Sequence, residues 1–176
     1  KPERVFHYFG ELLKIPRCAG EEKEVSDYLK SVGENLGLET IQDELKNIII
    51  RKPATAGYEN SQGIIIQGHM DIVCEKEEGV EHDFSKDPIE PVVEGDFIKT
   101  KGTTLGADNG IAVAMGLAIL EDGSLEHPDL ELLVTVSEET EMDGALGLKP
   151  NILKGKRLLN IDSEEEGFLT VGSAGG

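Results

Sequence analysis

Thiolate chemistry has little to work with in this chain. Its 176 residues include two cysteines, Cys18 and Cys74, far apart and outside any C-x-x-C pair. A disulfide framework and a thiolate zinc site are therefore both disfavoured, and a reducing compartment is the better expectation. No apolar run approaches the ~20 residues that span a bilayer. The opening Lys1-Pro2-Glu3-Arg4 has no apolar core of a signal peptide and no initiating Met, so it reads as a trimmed start. Together these absences place the protein in the cytoplasm. Positive charge is also scarce: 17 Lys and Arg stand against 35 Asp and Glu, for a net charge of −18 and a pI near 4.5. Such a field repels polyphosphates, which argues against nucleic acid and anionic membrane surfaces as partners. It attracts metal cations, although an acidic surface alone signals only solubility.

What is present suffices for one domain with a sizeable core: 38% of the residues are hydrophobic and 30% charged, with no repeat or low-complexity tract. Apolar residues at Val5, Phe6, Phe9, Leu12 and Leu13 recur at helical spacing up to Pro16. Val25, Tyr28, Leu29, Val32 and Leu36 mark a second helix that stops at Gly37. Both carry a charged outer face and so cover one side of a sheet. Ile48-Ile49-Ile50 predicts a strand buried on both faces, and 63–67 predicts another. An acidic irregular loop follows over 75–86. Two short strands, 89–93 and 97–99, are joined by a turn at Glu94-Gly95-Asp96. A helix beginning near Asp108 is rich in small residues (Ala112, Ala114, Gly116, Ala118), which lets it sit close on the sheet. Strands are expected over 130–136, 157–161 and 168–171, with a helical turn over 144–148. This order indicates an α/β protein, a three-layer α/β/α sandwich with a mixed, mostly parallel sheet. The charge run Glu164-Glu165-Glu166 reads as a solvated loop, and the glycine-serine stretch over 172–176 as a cut at a hinge.

Four acidic or imidazole clusters fall at predicted strand ends or helix starts. His69-Met70-Asp71 follows the apolar Ile64-Ile65-Ile66, where ligand sites of α/β folds gather. Residues two apart in an extended segment project to one side, so Asp71 can accept a ring N–H of His69 and fix its tautomer. The plainer alternative is a strand-end His with an Asp that opens a turn. Asp108 sits between a glycine-rich approach, Gly102 to Gly106, and the apolar run 111–120. It is either an ordinary N-cap or a carboxylate on a rigid mount between two cations. Glu138-Glu139 places adjacent carboxylates at the end of a buried strand, where their repulsion and lost hydration call for a cation. Adjacent residues in a strand point opposite ways, so one can bind a metal while the other stands free to take a proton from water; the plainer alternative is a solvated acidic turn running on through Thr140 and Glu141. Asp162 ends the strand 157–161, or merely opens the turn before the acidic run. His7, His82 and His127 read as structural. Cys74 raises a cysteine-nucleophile alternative, which its acidic neighbours oppose by raising the thiol pKa. Oxygen and imidazole donors without thiolate suit zinc, manganese or cobalt.

Gly68-His69-Met70-Asp71, the block from Gly102 to Gly110, Ser137-Glu138-Glu139 and the segment from Asn160 through Asp162 to Glu165 resemble the signatures of the aminoacyl-histidine dipeptidases. These are cytosolic members of the di-zinc exopeptidase family that also holds carnosinases, tripeptidases and aminoacylases. The resemblance implies the N-terminal part, residues 1–176, of a di-zinc catalytic domain, with the lid and C-terminal catalytic segments absent. It implies two divalent metals, zinc in the usual case, with His69 and Asp162 on one, Glu139 on the other and Asp108 bridging. Asp71 would orient His69, and Glu138 would act as general base. Implied with these are a small-peptide substrate, unblocked dipeptides including β-alanyl-histidine, and a homodimer formed through the lid. A further metal-binding His of the family has no counterpart in the sequence. The alternatives are an N-acyl amino acid deacylase of the same family and a non-catalytic acidic metal-binding module.

Overall fold

The computed structural model describes residues 2–163 and 167–172. The chain opens with two amphipathic helices, α1 (Glu3–Leu12) and α2 (Lys23–Asn35). A hairpin of β1 (Glu39–Gln42) and β2 (Ile48–Lys52) follows, then β3 (Ile64–His69). A separate two-stranded ribbon, β4 (Val92–Glu94) with β5 (Phe97–Lys99), precedes α3 (Ala107–Glu121). The chain then adds β6 (Leu130–Thr135), the short α4 (Asp143–Leu146) and β7 (Arg157–Asn160). The main sheet has the order β1-β2-β6-β3-β7. It is mixed: β1/β2 and β2/β6 are antiparallel, whereas β6/β3 and β3/β7 are parallel.

The central strands are apolar on both sides, because both faces are covered. On one face α1, α2 and α3 bury Leu12, Leu29, Val113 and Leu117 against Ile48, Ile50, Leu132 and Val134. A fully buried aliphatic side chain of this kind contributes about 1.5–3 kcal/mol. On the other face Ile49, Ile65 and Leu133 meet Leu148, Ile152 and Leu153 from the segment after α4. Small residues bring α3 onto the sheet as expected: a methyl group at Gly116 would overlap the Leu132 side chain.

Several sequence expectations change. The strand β1 was not anticipated, because its polar, half-buried residues give no clear alternation. The predicted strand 89–93 shortens to β4; Ile89 instead donates its N–H to Leu13 O (2.8 Å) and is buried between Pro88 and Pro91. Residues 168–171 form no strand, and Phe168, Leu169 and Val171 are exposed. The acidic run 164–166 and residues 173–176 of the glycine-serine stretch lie outside the described residues.

The largest correction concerns the cysteines. Cys18 and Cys74 form a disulfide across 56 residues of sequence, with Cα atoms 5.7 Å apart. Sequence distance hid this because the loop after α1 runs beside the segment after β3. Cys18 and Ile72 form a parallel bridge there, and Ile72 N–H donates to Arg17 O (3.1 Å). The bond also removes Cys74 as a nucleophile, and with it the argument from the cysteines for a reducing compartment.

Candidate metal centre

The carboxyl ends of the parallel strands β3, β6 and β7 share one edge of the sheet, the position where open α/β sheets place ligands. His69 is the last residue of β3, Glu138 and Glu139 follow β6, and Asp162 follows β7. The start of α3 brings in Asp108. His69 is 1% exposed, and its Nε2 lies 3.1 Å from Asp108 Oδ1, 3.7 Å from Glu138 Oε2 and 3.8 Å from Asp162 Oδ2. Two sets of ligand atoms, His69-Asp108-Asp162 and His69-Glu138-Glu139, each fall within 4.8 Å of one another. Every residue expected at the site from the sequence is therefore at this edge.

Local structure explains how each carboxylate arrives. Asp108 is not an N-cap. Gly106, in the left-handed region, occupies that position, and Asp108 and Asn109 keep non-helical dihedrals inside the first turn. The peptide bond between them is cis. The Asp108 carboxylate turns to His69 Nε2 and stays largely exposed. Glu138 and Glu139 do not continue the strand, so they do not point opposite ways. Ser137 takes a left-handed φ of 56° and breaks β6 into a turn that sends both carboxylates to the same place. That turn is pinned from beneath. Asp71, 0% exposed, accepts Glu138 N–H on Oδ1 (3.1 Å) and Glu139 N–H on Oδ2 (3.0 Å). Glu22 accepts Ser137 N–H (3.0 Å), and buried Asn47 accepts Val136 N–H (3.1 Å).

His69 Nδ1 faces the main-chain oxygen of Asp71 at 3.1 Å and its carboxylate at 3.4 Å. Donation from Nδ1 leaves Nε2 as the lone-pair nitrogen, the arrangement a metal-binding imidazole requires.

The electrostatics are those of crowded acids. Burial pushes the Glu138, Glu139 and Asp162 carboxyls above their ordinary range, and neighbouring carboxylates, Asp108 among them, push further. Burial alone would lower the His69 pKa, but Asp71, Asp162 and Glu138 outweigh it and raise it to about 9. Burial would likewise raise Asp71; His69 and the two N–H donors instead hold it below the usual range. A proton on His69 offsets one negative charge, and a divalent cation would offset two.

Four supporting residues went unrecognised in the sequence. Arg17 is 1% exposed and donates to Met70 O (2.9 Å) and Gly106 O (2.6 Å), so one guanidinium fixes the approaches to both His69 and Asp108. Burial lowers its pKa to about 10, which leaves it charged at neutral pH. Glu22 and Asn47 shape the Ser137 turn, and Asn109 bonds to the Asp162 carboxylate. None belongs to a local pattern; each acts across more than 50 residues of sequence, Asn109 on Asp162 included.

No family model matches the chain. Individual proteins do. The chain is 44% identical over 175 residues to the cytosol non-specific dipeptidase of Escherichia coli, an alignment covering 99% of this chain and 36% of that protein. The crystal structure of aminoacylhistidine dipeptidase from Vibrio alginolyticus superposes with a TM-score of 0.92 at 41% identity, over 95% of this chain and 34% of that one. Aminopeptidase PepT from Bacillus cereus shares the fold, with a TM-score of 0.77 at 24% identity over 94% of this chain and 44% of that one. The chain thus spans about a third of the length of the two dipeptidases it matches.

Proposed function

We propose that this chain, a sequence relative of the cytosol non-specific and aminoacylhistidine dipeptidases, builds the core of a two-metal centre that hydrolyses unblocked dipeptides. The observation that carries the reading is the convergence of four carboxylates, from three separate segments, around one buried histidine, three of them against its Nε2. Left to themselves these acids repel one another and lose hydration. The donor set suits a divalent ion with oxygen and nitrogen ligands and no thiolate, zinc first, with manganese or cobalt as substitutes. The residues fit such a group.

His69 and Asp162 would hold one ion, Glu139 the other, and Asp108, exposed between them, would bridge. When bound, the ions supply Lewis acidity toward the scissile carbonyl and lower the pKa of the attacking water. The chain's own contribution is positional and protic. Asp71 holds the Glu138–Glu139 turn. Glu138 takes the proton of the attacking water on a carboxylate whose raised pKa suits the exchange, and passes it to the leaving amine. Among the described residues the Glu139 position has no imidazole of its own besides His69, so its last ligand would come from elsewhere in a protein of the relatives' size. We read these residues as part of the catalytic domain of such a protein. Its cytosolic location and its dimer belong to the same proposal.

The test uses the complete native protein. Glu138→Ala should retain its metals and lose turnover of a free dipeptide by two or more orders of magnitude. Undiminished turnover removes Glu138 from the mechanism. An N-acetylated dipeptide should be a poor substrate; preference for it would favour a deacylase instead.

A further inference from the structure

We infer that Asn109 is a positioning residue that holds Asp162 in place for its cation. The inference rests on the metal-centre reading above. Asn109 is 3% exposed. Its Nδ2 donates to Ile161 O (2.8 Å) and to Asp162 Oδ1 (3.0 Å), so both amide hydrogens are used on the chain just after β7. The orientation of the amide follows from its surroundings. Turned the other way, Oδ1 would face two acceptors, a main-chain carbonyl and a carboxylate.

Asn109 Oδ1 is buried without a hydrogen-bond partner, lodged over Gly68. A methyl group on Gly68 would overlap it. A buried amide oxygen without a donor costs about 1–3 kcal/mol, so the site keeps this residue at a loss in stability. Packing does not require it, since an apolar side chain of the same shape would avoid that cost. What an apolar residue lacks is the pair of donors on one nitrogen. Aspartate, the same size, would set a second carboxylate against Asp162.

Asp162 needs such a tether. Strand β7 is the sheet's edge, with every residue exposed, and pairs only with β3 among the described residues. Beyond it, among the described residues, the main chain has one further bond to the sheet, Ile161 N–H to Gln67 O (3.1 Å). Asn109 supplies the rest, and it does so from the residue next to Asp108. The two carboxylates are thereby held together near His69 Nε2. With Oδ1 accepting from Asn109, Oδ2 is the atom turned toward His69 Nε2, at 3.8 Å.

The experiment is metal titration of the complete, metal-stripped protein with Zn²⁺, comparing wild type with Asn109→Asp and Asn109→Ser, each checked for folding by circular dichroism. Wild type should bind two ions. The variants should bind one of the two 10–100-fold more weakly, the loss typical when a partner of a metal ligand is removed. Turnover should fall at limiting Zn²⁺ and recover in excess Zn²⁺, with KM for a dipeptide little changed. A residue serving only the fold would not give that recovery. Two ions bound at wild-type affinity in whichever variant folds overturns the inference alone. A wild-type protein that takes up no Zn²⁺ overturns the metal-centre reading as well.

Discussion

Replacing Asp71 by Asn tests the least visible part of the site, because the side chain is fully buried and touches no substrate. Its carboxylate accepts Glu138 N–H and Glu139 N–H at 3.1 and 3.0 Å. Hydrogen bonds to a charged group contribute about 1.5–3 kcal/mol each. Asparagine retains one acceptor oxygen and turns an NH₂ against the second N–H. One bond is lost and two donors are opposed in a buried place. The expected cost is about 3 kcal/mol, which for a unit of this size lowers the midpoint of thermal unfolding by roughly 6–12 °C. The effect on metal binding should be uneven. His69 Nδ1 keeps the Asp71 main-chain oxygen at 3.1 Å as its acceptor, so the imidazole tautomer survives the substitution. The Glu138–Glu139 turn does not keep its support. Calorimetric titration of Asp71→Asn should therefore show about 10–100-fold weaker binding of the ion proposed for Glu139 and little change for the ion proposed for His69 and Asp162. Equal loss at both positions would mean that the carboxylate acts mainly through the histidine. Unchanged stability and affinity would refute the structural argument altogether.

Three other outcomes follow from the same geometry. Asp108→Ala should abolish binding of both ions, measured as metal per chain after gel filtration; two retained ions would rule out the bridge. Cys18→Ser opens a cross-link spanning 56 residues, worth about 4 kcal/mol by loop-closure entropy. At ~2 kcal/mol per molar, that moves the urea midpoint down by roughly 2 M, and two titratable thiols in the untreated native protein would show that the bond is not formed. Chelation should destabilise the protein more as pH rises. The raised carboxyls of Glu138, Glu139 and Asp162 favour the folded state while protonated and cease to do so as pH climbs through their folded values. His69 acts in the same direction, its contribution being complete below its ordinary value near 6.5 and lost as pH passes about 9. Asp71, whose pKa is lowered, has the opposite sign and is lost in acid. Melting curves with and without chelator from pH 4 to pH 9 should diverge steadily; parallel curves would contradict the assignment.

How much of this was legible in advance depended on whether the signal was local. Ile48-Ile49-Ile50 and the run before His69 could be read as strands because burial on both faces demands continuous apolar residues. The helix after Asp108 showed its closeness to the sheet through its alanines and glycines. The ligand candidates were legible because acids at strand ends are expensive without a cation. The polar strand β1 and the loss of a strand over 168–171 were not, since neither hydrophobicity nor spacing decided them. The projection of Glu138 and Glu139 was misread for a comparable reason. Strand alternation is the rule until a left-handed residue intervenes, and Ser137, unlike a glycine, gives no warning in the sequence.

The cysteines and Arg17 show what no local pattern contains. Arg17 and Cys18 lie in the loop between α1 and α2, and both act on the segment that carries His69 and Asp71. Cys18 does so covalently through Cys74, and Arg17 through Met70 O. Arg17 also holds Gly106 O, at the mount of Asp108. A buried guanidinium is costly, and its pKa of about 10 records that cost. Its charge offsets Asp71, a carboxylate too buried to reach a cation itself. Metal ions would then balance Asp108, Glu138, Glu139 and Asp162 from the solvent side, while Arg17 balances Asp71 from within the protein. On the proposed reading, a site assembled this way would keep its inner scaffold charged and in place without metals, so that metal loss would remove the ligands' counterions without unmaking the arrangement that would bind them again.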